Sequence, residues 1–568
     1  MSKAALNDMY TELGKALDKA APHQYYPRPQ LRRNSFFSLN GPWSFFENEG
    51  AEEETVTVPF PPEALLSGIG RRLSPVARPI YKRTFTLPEG FVNERVILNF
   101  GAVDQCAEVF VNGASVGRHV GGYEAFSYDI TDHLLPENTV TVQVLDDLPS
   151  HVLPYGKQRI DRGGMWYTPV TGIWQSVWLE SVPSEYIRSM KIFADDKKVD
   201  IYFSGADEGI VTLECGRQIR IIDGRASFEI NEPHLWSPED PYLYTFTVRS
   251  GNDEISSYFA MRKLSVESID GKKRLCLNGK PYFFHGVLDQ GYFSDGIFTP
   301  ASEEEYARDI MKMKALGFNT LRKHIKVEPE IFYYYCDKLG MVVFQDMVNN
   351  GKYSFIRDTA LPTVGLKRLP DRFLHRDEKT REAFRQGMRS TANQLFNHPC
   401  ICYWTIFNEG WGQFDSESVY KYMKTLDTSR FIDTASGWFE GAESSVTSPH
   451  IYFKPVKLRP SEKPTVVSEF GGYVYKDPEH SFNSEKTYGY KIFEDRAEFE
   501  KELEALYMNE IVPNIANGLC GAIYTQLSDV EDETNGLITY DRKVTKVTEG
   551  TMKNIAEAIF SSLPYGLQ

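Results

Sequence analysis

Two glutamates end apolar, aromatic runs: Glu409 in CICYWTIFNEGW and Glu469 in PTVVSEFGGY. Such runs read as buried strands, and a polar residue that ends one leaves the apolar layer for a cleft. Carboxylates brought to one cleft by two strands are what glycoside hydrolysis requires. One protonates the departing oxygen; the other attacks or stabilises the oxocarbenium-like carbon. A single carboxylate after a strand is as readily a helix cap or an arginine partner. A pair set in aromatic runs is harder to read that way. Other strand ends add polar candidates for substrate contact: Asp289, Gln290, Arg322, His324, Asp346, Asn408, His450, Tyr452 and Gln526. Trp404, Trp411 and Trp438 are candidates for a stacking floor, with a core role equally open to each.

The elements that must position these residues follow from the apolar periodicity. After Asp270, buried-type strands alternate with helical segments, with strands expected near 281–287, 317–322, 341–346, 401–408, 430–435, 446–452, 464–469 and 521–526. Eight such units over residues 268–568 make a (β/α)8 TIM barrel, whose strand ends line a cleft at the C-terminal face. Only short connections are available around the fifth and sixth strands. Ahead of the barrel, residues 25–183 carry short alternating runs and turn signals (RVILNFGAV, CAEVFVNGASVG, VTVQVLD), which predict a jelly-roll β domain. Residues 184–267 repeat the pattern in less chain and predict an immunoglobulin-like β-sandwich. Residues 1–24 place Ala5, Leu6, Met9, Leu13 and Leu17 at helical spacing, a short amphipathic helix.

Composition narrows the functional classes. The chain has 568 residues, with 63 Lys+Arg against 78 Asp+Glu and a formal charge of −15. No basic cluster stands ready to neutralise phosphates, which argues against nucleic-acid and anionic-membrane partners. No apolar run is long enough for a membrane span. Seven cysteines without CxxC pairing sit mostly in apolar runs, as reduced thiols do, and the first residues carry acids where an export signal needs apolar ones. A cytoplasmic location is expected. Aromatic residues make up 13% of the chain, which suits both β layers and ligand stacking.

CICYWTIFNEGWG and PTVVSEFGGY resemble the acid/base and nucleophile segments of glycoside hydrolase family 2, the β-galactosidase and β-glucuronidase family. LNGPWSFF, VFVNGASVGRHVGGYEAFSYDIT and GMWYTPVTGIWQSVWLE resemble its sugar-binding jelly roll, LWSPEDPYLY its immunoglobulin-like domain, and GKPYFFHGV the entry to its barrel. The resemblance implies Glu409 as acid/base, Glu469 as nucleophile, Asn408 as holder of the sugar 2-hydroxyl, Tyr452 as partner of the nucleophile with His450 beside it, and Arg322 as its support. It implies a retaining mechanism on a small glycoside or oligosaccharide, and a homo-oligomer is compatible with it; no cofactor is expected, and the β domains are expected to frame the cleft, exclude longer chains and favour release of single terminal sugars. A Mg²⁺ ion beside the acid/base has Asp415 and Glu417 as available ligands, with no spacing to mark a site.

Three departures bear on the sugar. HGVLDQGYFSDG replaces a histidine-containing segment after the first strand, and RKHIKVEP replaces R-x-S-H-Y-P after the second, shifting His324 by one position. The Asn-x-Lys that clamps a glucuronide carboxylate is replaced by the acidic DVEDETNG, whose middle residues read as a solvated loop. These acids favour a neutral sugar, so a β-galactoside is the first expectation. A β-glucuronide, with Lys323, Lys326 and Arg357 as a candidate basic pocket, or an arabinoside-like substrate is the alternative. A non-catalytic carbohydrate-binding protein is the rival from another class, and it would lack one of the two glutamates.

Overall fold

The computed structural model describes residues 6–361, 370–437, 439, 443–458 and 461–564. Three hydrophobic cores organise it. The first lies between a four-stranded antiparallel sheet (Phe37–Ser38, Val177–Val182, Arg95–Phe100, Phe126–Asp129) and a six-stranded one running from Glu54–Val58 through Gly41–Phe46 to Ala114–Val120. Alternation drives this packing: in Asn138–Leu145 the valines 140, 142 and 144 turn inward while Gln143 faces solvent. This is the expected jelly-roll layer pair. The second core joins a three-stranded and a four-stranded sheet between Ser189 and Phe259, burying Val199, Ile201, Val211, Val248 and Ile255.

The third core is the barrel. Its eight parallel strands are Phe284–Asp289, Thr320–Lys323, Val342–Asp346, Ile401–Asn408, Phe431–Ser436, His450–Ile451, Thr465–Gly471 and Leu519–Thr525. Each falls within about a turn's length of the segment the sequence predicts. Neighbours pair in chain order, and the eighth strand closes onto the first with Val287 opposite Tyr524. The ladder is open only between the fifth and sixth strands, where the connection carries no helix among the described residues. Single bonds bridge that seam, Gly437 N–H to Ser448 O at 2.9 Å and Ser445 N–H to Ile432 O at 2.8 Å. Helices such as Glu303–Ala315, capped by Ser302 and carrying acids in its first turn and lysines in its last, form the outer ring.

The N-terminal segment differs from expectation. Its helix is one turn, Glu12–Lys15, capped by Thr11. The segment is held by the barrel rather than by its own periodicity: Thr11 donates to Asp295 through both its backbone and its hydroxyl, and His23 Nε2 bonds Pro300 O at 2.8 Å. No helix among the described residues is long and apolar enough to cross a membrane.

Candidate active site

The fourth and seventh strands deliver Glu409 and Glu469 to the same end of the barrel. Glu469 lies two residues before the end of a wholly buried run, Thr465–Gly471, and its side chain is 7% exposed; Glu409 sits one residue past its strand and its side chain is 18% exposed. One oxygen of each carboxylate and a ring nitrogen of His450 lie within 4.8 Å of one another. So close an approach of single oxygens is in keeping with carboxyl groups about 5–5.5 Å apart, the spacing of pairs that work by covalent displacement.

His450 stands between the two carboxylates. Its Nδ1 is 2.9 Å from Glu409 and 3.5 Å from Glu469, while Nε2 meets Ser436 Oγ at 2.8 Å. Gly437 makes this approach workable at a backbone φ of +103°; a Cβ there would lie 3.3 Å from His450 Nδ1 and 3.4 Å from Glu409 Cγ.

Arg322 organises the floor. From the second strand, 1% exposed, it donates to Glu469 at 2.9 Å, Ser468 O at 3.0 Å, Asp346 at 3.0 Å and Asn408 Oδ1 at 2.9 Å. On the other oxygen of Glu469, the Tyr452 phenol donates at 2.5 Å, and Thr525 Oγ1 lies 2.9 Å from that phenol. Burial alone would raise the Glu469 carboxyl. His450, Arg322, His324 and the Tyr452 hydrogen bond outweigh it and hold the group down at about 2, ionised at working pH. Nearby Asp433 is the reverse case: burial pushes it up to about 6 against hydrogen bonds from Ser448 and Tyr403.

The residues expected from sequence divide into two layers. Glu409, Glu469, His450, Tyr452, Asn408 and Arg322 meet, and Asn408 Nδ2 is left without a protein partner among the described residues. His324 and Asp346 bond each other at 2.7 Å and back up Arg322. Asp289 pairs with Lys323 at 2.6 Å, and Gln290 donates to Gln526 at 2.9 Å; the second contact leaves Gln290 Oε1 and Gln526 Nε2 buried without a partner. Trp404 is not a stacking floor. It faces away from the barrel axis, where its indole donates to Asp427 at 2.8 Å under the Arg430 guanidinium. Trp411 is 3% exposed in the core, its indole donating to Gly351 O at 2.8 Å, and Trp438 lies outside the described residues. Among the described residues, Glu409, His450 and Glu469 are the one group of three donors placed to hold a metal; Asp415 and Glu417 join none.

Two readings of charge are corrected. The acidic segment is no solvated loop: residues 529–533 are buried. Asp529 pairs with Lys546 at 2.6 Å, Glu531 accepts from Thr168 N–H at 2.9 Å, Asp532 pairs with Arg162 at 3.2 Å, and Glu533 accepts from Tyr167 OH at 2.5 Å. Nor do Lys323, Lys326 and Arg357 form a basic pocket. Lys323 is held by Asp289 and Glu328, Lys326 by Glu328 and two carbonyls, and Arg357 by Asp358.

The jelly roll borders the site through a stretch whose DRGGMW glycines the sequence reading takes for sheet turns. Its segment 155–171 lies on the barrel mouth, with Tyr155 and Gly156 N–H donating to Asn349 O at 3.1 Å and Tyr155 OH donating to Gly351 O at 2.9 Å. Gly156 has a φ of +65°, and a Cβ there would meet Ile325 O at 2.7 Å. Trp166 packs edge-on to Trp411 at 5.1 Å and to Tyr353 at 5.0 Å. The available signal was the aromatic pair Trp166–Tyr167 among turn glycines, where a plain sheet turn needs neither.

A jelly roll, a sandwich and a barrel with two glutamates at its C-terminal face make up the architecture of multidomain glycoside hydrolases. Residues 268–554 match the family model for the TIM barrel domain of glycosyl hydrolases family 2, residues 71–183 its sugar binding domain, and 184–262 its central domain. The chain belongs to glycosyl hydrolases family 2. A β-galactosidase of Thermoanaerobacter pseudethanolicus is 26% identical over 438 residues, 70% of this chain and 54% of that protein. A β-glucuronidase of Bacteroides fragilis is 25% identical over 410 residues, 65% of this chain and 56% of that one. The chain thus spans little more than half the length of these relatives. A solved β-D-glucuronidase of Dictyoglomus thermophilum shares the fold with a TM-score of 0.74 at 18% identity, covering 94% of this chain and 98% of its own.

Proposed function

We propose that the protein is a retaining exo-acting glycosidase that releases terminal sugars from small β-glycosides. The observation that carries this reading is the Glu409–Glu469 pair within 4.8 Å, with Arg322 and Tyr452 gripping the second carboxylate. Glu469, held ionised, attacks the anomeric carbon as Glu409 gives its proton to the glycosidic oxygen; the bond to the aglycone breaks and a glycosyl ester forms on Glu469. Glu409, now a carboxylate and the more open of the two, takes a proton from water. The water oxygen attacks the anomeric carbon, the ester bond breaks, and Glu469 returns as a carboxylate. Segment 155–171 over the mouth supports action on chain ends rather than chain interiors.

The sugar is either a β-galactoside, as first expected, or a β-glucuronide. The ground for preferring a neutral sugar was a set of free acids at 529–533, and those acids are already bonded within the protein. Lys157, a cation of the 155–171 segment with no acidic partner among the described residues, favours the acidic sugar. The test is nitrophenol release from a panel of β-galactoside, β-glucuronide, β-glucoside, β-mannoside, α-L-arabinoside and β-fucoside, wild type beside Glu469→Gln. Turnover abolished in the variant supports the reading; turnover that survives it refutes the assigned nucleophile.

A further inference from the structure

Lys157 projects from the segment that the jelly roll lays over the barrel mouth. The residue is 8% exposed, yet its ammonium makes no hydrogen bond or ion pair with any described residue. The face of Trp166, 5.5 Å away, is its neighbour on one side. His324 and Glu533 are near enough for its charge to influence their ionisation. Glu533 already accepts from Tyr167 OH at 2.5 Å and Asn535 Nδ2 at 3.1 Å, and burial raises its carboxyl, so it is a poor counter-ion. Arg159, two residues on, lays its guanidinium 4.0 Å over the same Trp166 ring and likewise has no carboxylate partner among the described residues. The other cations here, Arg322, Lys323, Lys326, Arg162 and Lys546, are all paired with acids.

A charge nine-tenths buried without a counter-ion is unfavourable until an anion arrives. A neutral sugar gives such an ammonium a hydroxyl; a carboxylate gives it a charge-assisted bond of about twice the strength. We propose that Lys157, assisted by Arg159, binds the carboxylate of an acidic sugar, so that the substrates are glycosides of hexuronic acids. The inference rests on the glycosidase reading above and adds the residue that selects the sugar, supplied by the jelly roll rather than by the barrel.

The experiment compares wild type, Lys157→Gln, Lys157→Arg and Arg159→Gln on 4-nitrophenyl β-D-glucuronide, β-D-galacturonide, β-D-glucoside and β-D-galactoside. Calorimetric titration of each protein with D-glucuronate, D-galacturonate and D-glucose runs in parallel. The expected result is a wild-type preference for a uronide. Its kcat/KM ratio to the matching neutral glycoside should fall about 10- to 150-fold in Lys157→Gln, the loss of one hydrogen bond between charged groups, and recover in Lys157→Arg. Arg159→Gln should lower the ratio less. If no glycoside turns over, the titration decides: a uronate bound by wild type and lost in Lys157→Gln supports the proposal, and no uronate binding overturns it. A neutral preference, or a ratio that Lys157→Gln leaves unchanged, also overturns it. Hydrolysis that survives Glu469→Gln would instead strike the nucleophile assigned in the glycosidase reading, so the two failures are read separately.

Discussion

Replacing Arg322 by methionine removes four hydrogen bonds at once and leaves Glu469 and Asp346 as buried carboxylates without their shared guanidinium. Breaking a buried pair from one side costs about 3–5 kcal/mol, because the remaining charge stays desolvated. In the wild type Glu469 titrates at about 2, below its ordinary 4.5. Its ionisation therefore stabilises the fold above pH 4.5, and that stability is lost as pH falls from 4.5 through about 2. An opposite charge in contact lowers a carboxylate by one to three pH units, so in Arg322→Met the group should titrate between about 3 and 5, with His450 and Tyr452 still in place. The assay is kcat/KM against pH on an active nitrophenyl glycoside, with melting temperature on the same samples. The acid limb should move up, kcat should fall about 100-fold or more from a misplaced nucleophile, and the fold should melt several degrees lower. Arg322→Lys keeps the charge but not the fork, so it should restore part of the limb and little of kcat. An Arg322→Met protein with unchanged melting and an unmoved acid limb would refute this account of Glu469.

Three further outcomes are expected. Glu409→Gln should lose about 10²- to 10⁴-fold in kcat on glycosides with poor leaving groups and far less with dinitrophenol as leaving group; an equal loss on both would refute its role as acid. Gly437→Ala should lower kcat at least tenfold, since the new methyl presses on His450 and Glu409 from a backbone at φ +103°; intact kcat would show that the approach is not constrained there. Glu63 in the jelly roll is pushed up to about 8 by burial, so its contribution is present below pH 4.5 and lost as pH rises through about 8. Glu63→Gln should accordingly raise the melting temperature at alkaline pH and change it little near pH 4.5, and the opposite order would contradict that sign.

Much of the barrel was legible because each strand is a short apolar run ended by a polar residue, and parallel strands carry such runs without interruption. The same property hid which side chains face inward. Ile401–Asn408 is buried on both faces, so apolarity alone could not tell Tyr403, which stacks on Phe344 inside the barrel, from Trp404, which looks out to the helices. His450 and Tyr452 were readable as strand-end residues although their strand is two residues long. Charge was the least legible quantity. DVEDETNG reads as solvated by composition, and its burial depends on Arg162, Tyr167 and Thr168, more than 350 residues earlier in the chain. Local pattern carries no trace of partners at that separation. For the same reason Lys323 and Lys326 read as available, whereas Glu328 and Asp289 hold them.

Segment 155–171 separates two evolutionary tasks. The eight strands fix the carboxylates, and any change there risks the reaction itself. The segment packs Tyr155, Trp166, Tyr167 and Val170 against the barrel, while the rest of the jelly roll has a core of its own. Substitution or a change of length there can retune which sugar is admitted while Glu409 and Glu469 stay untouched. A graft of this stretch between relatives is thus a way to exchange sugar preference without redesigning a catalyst.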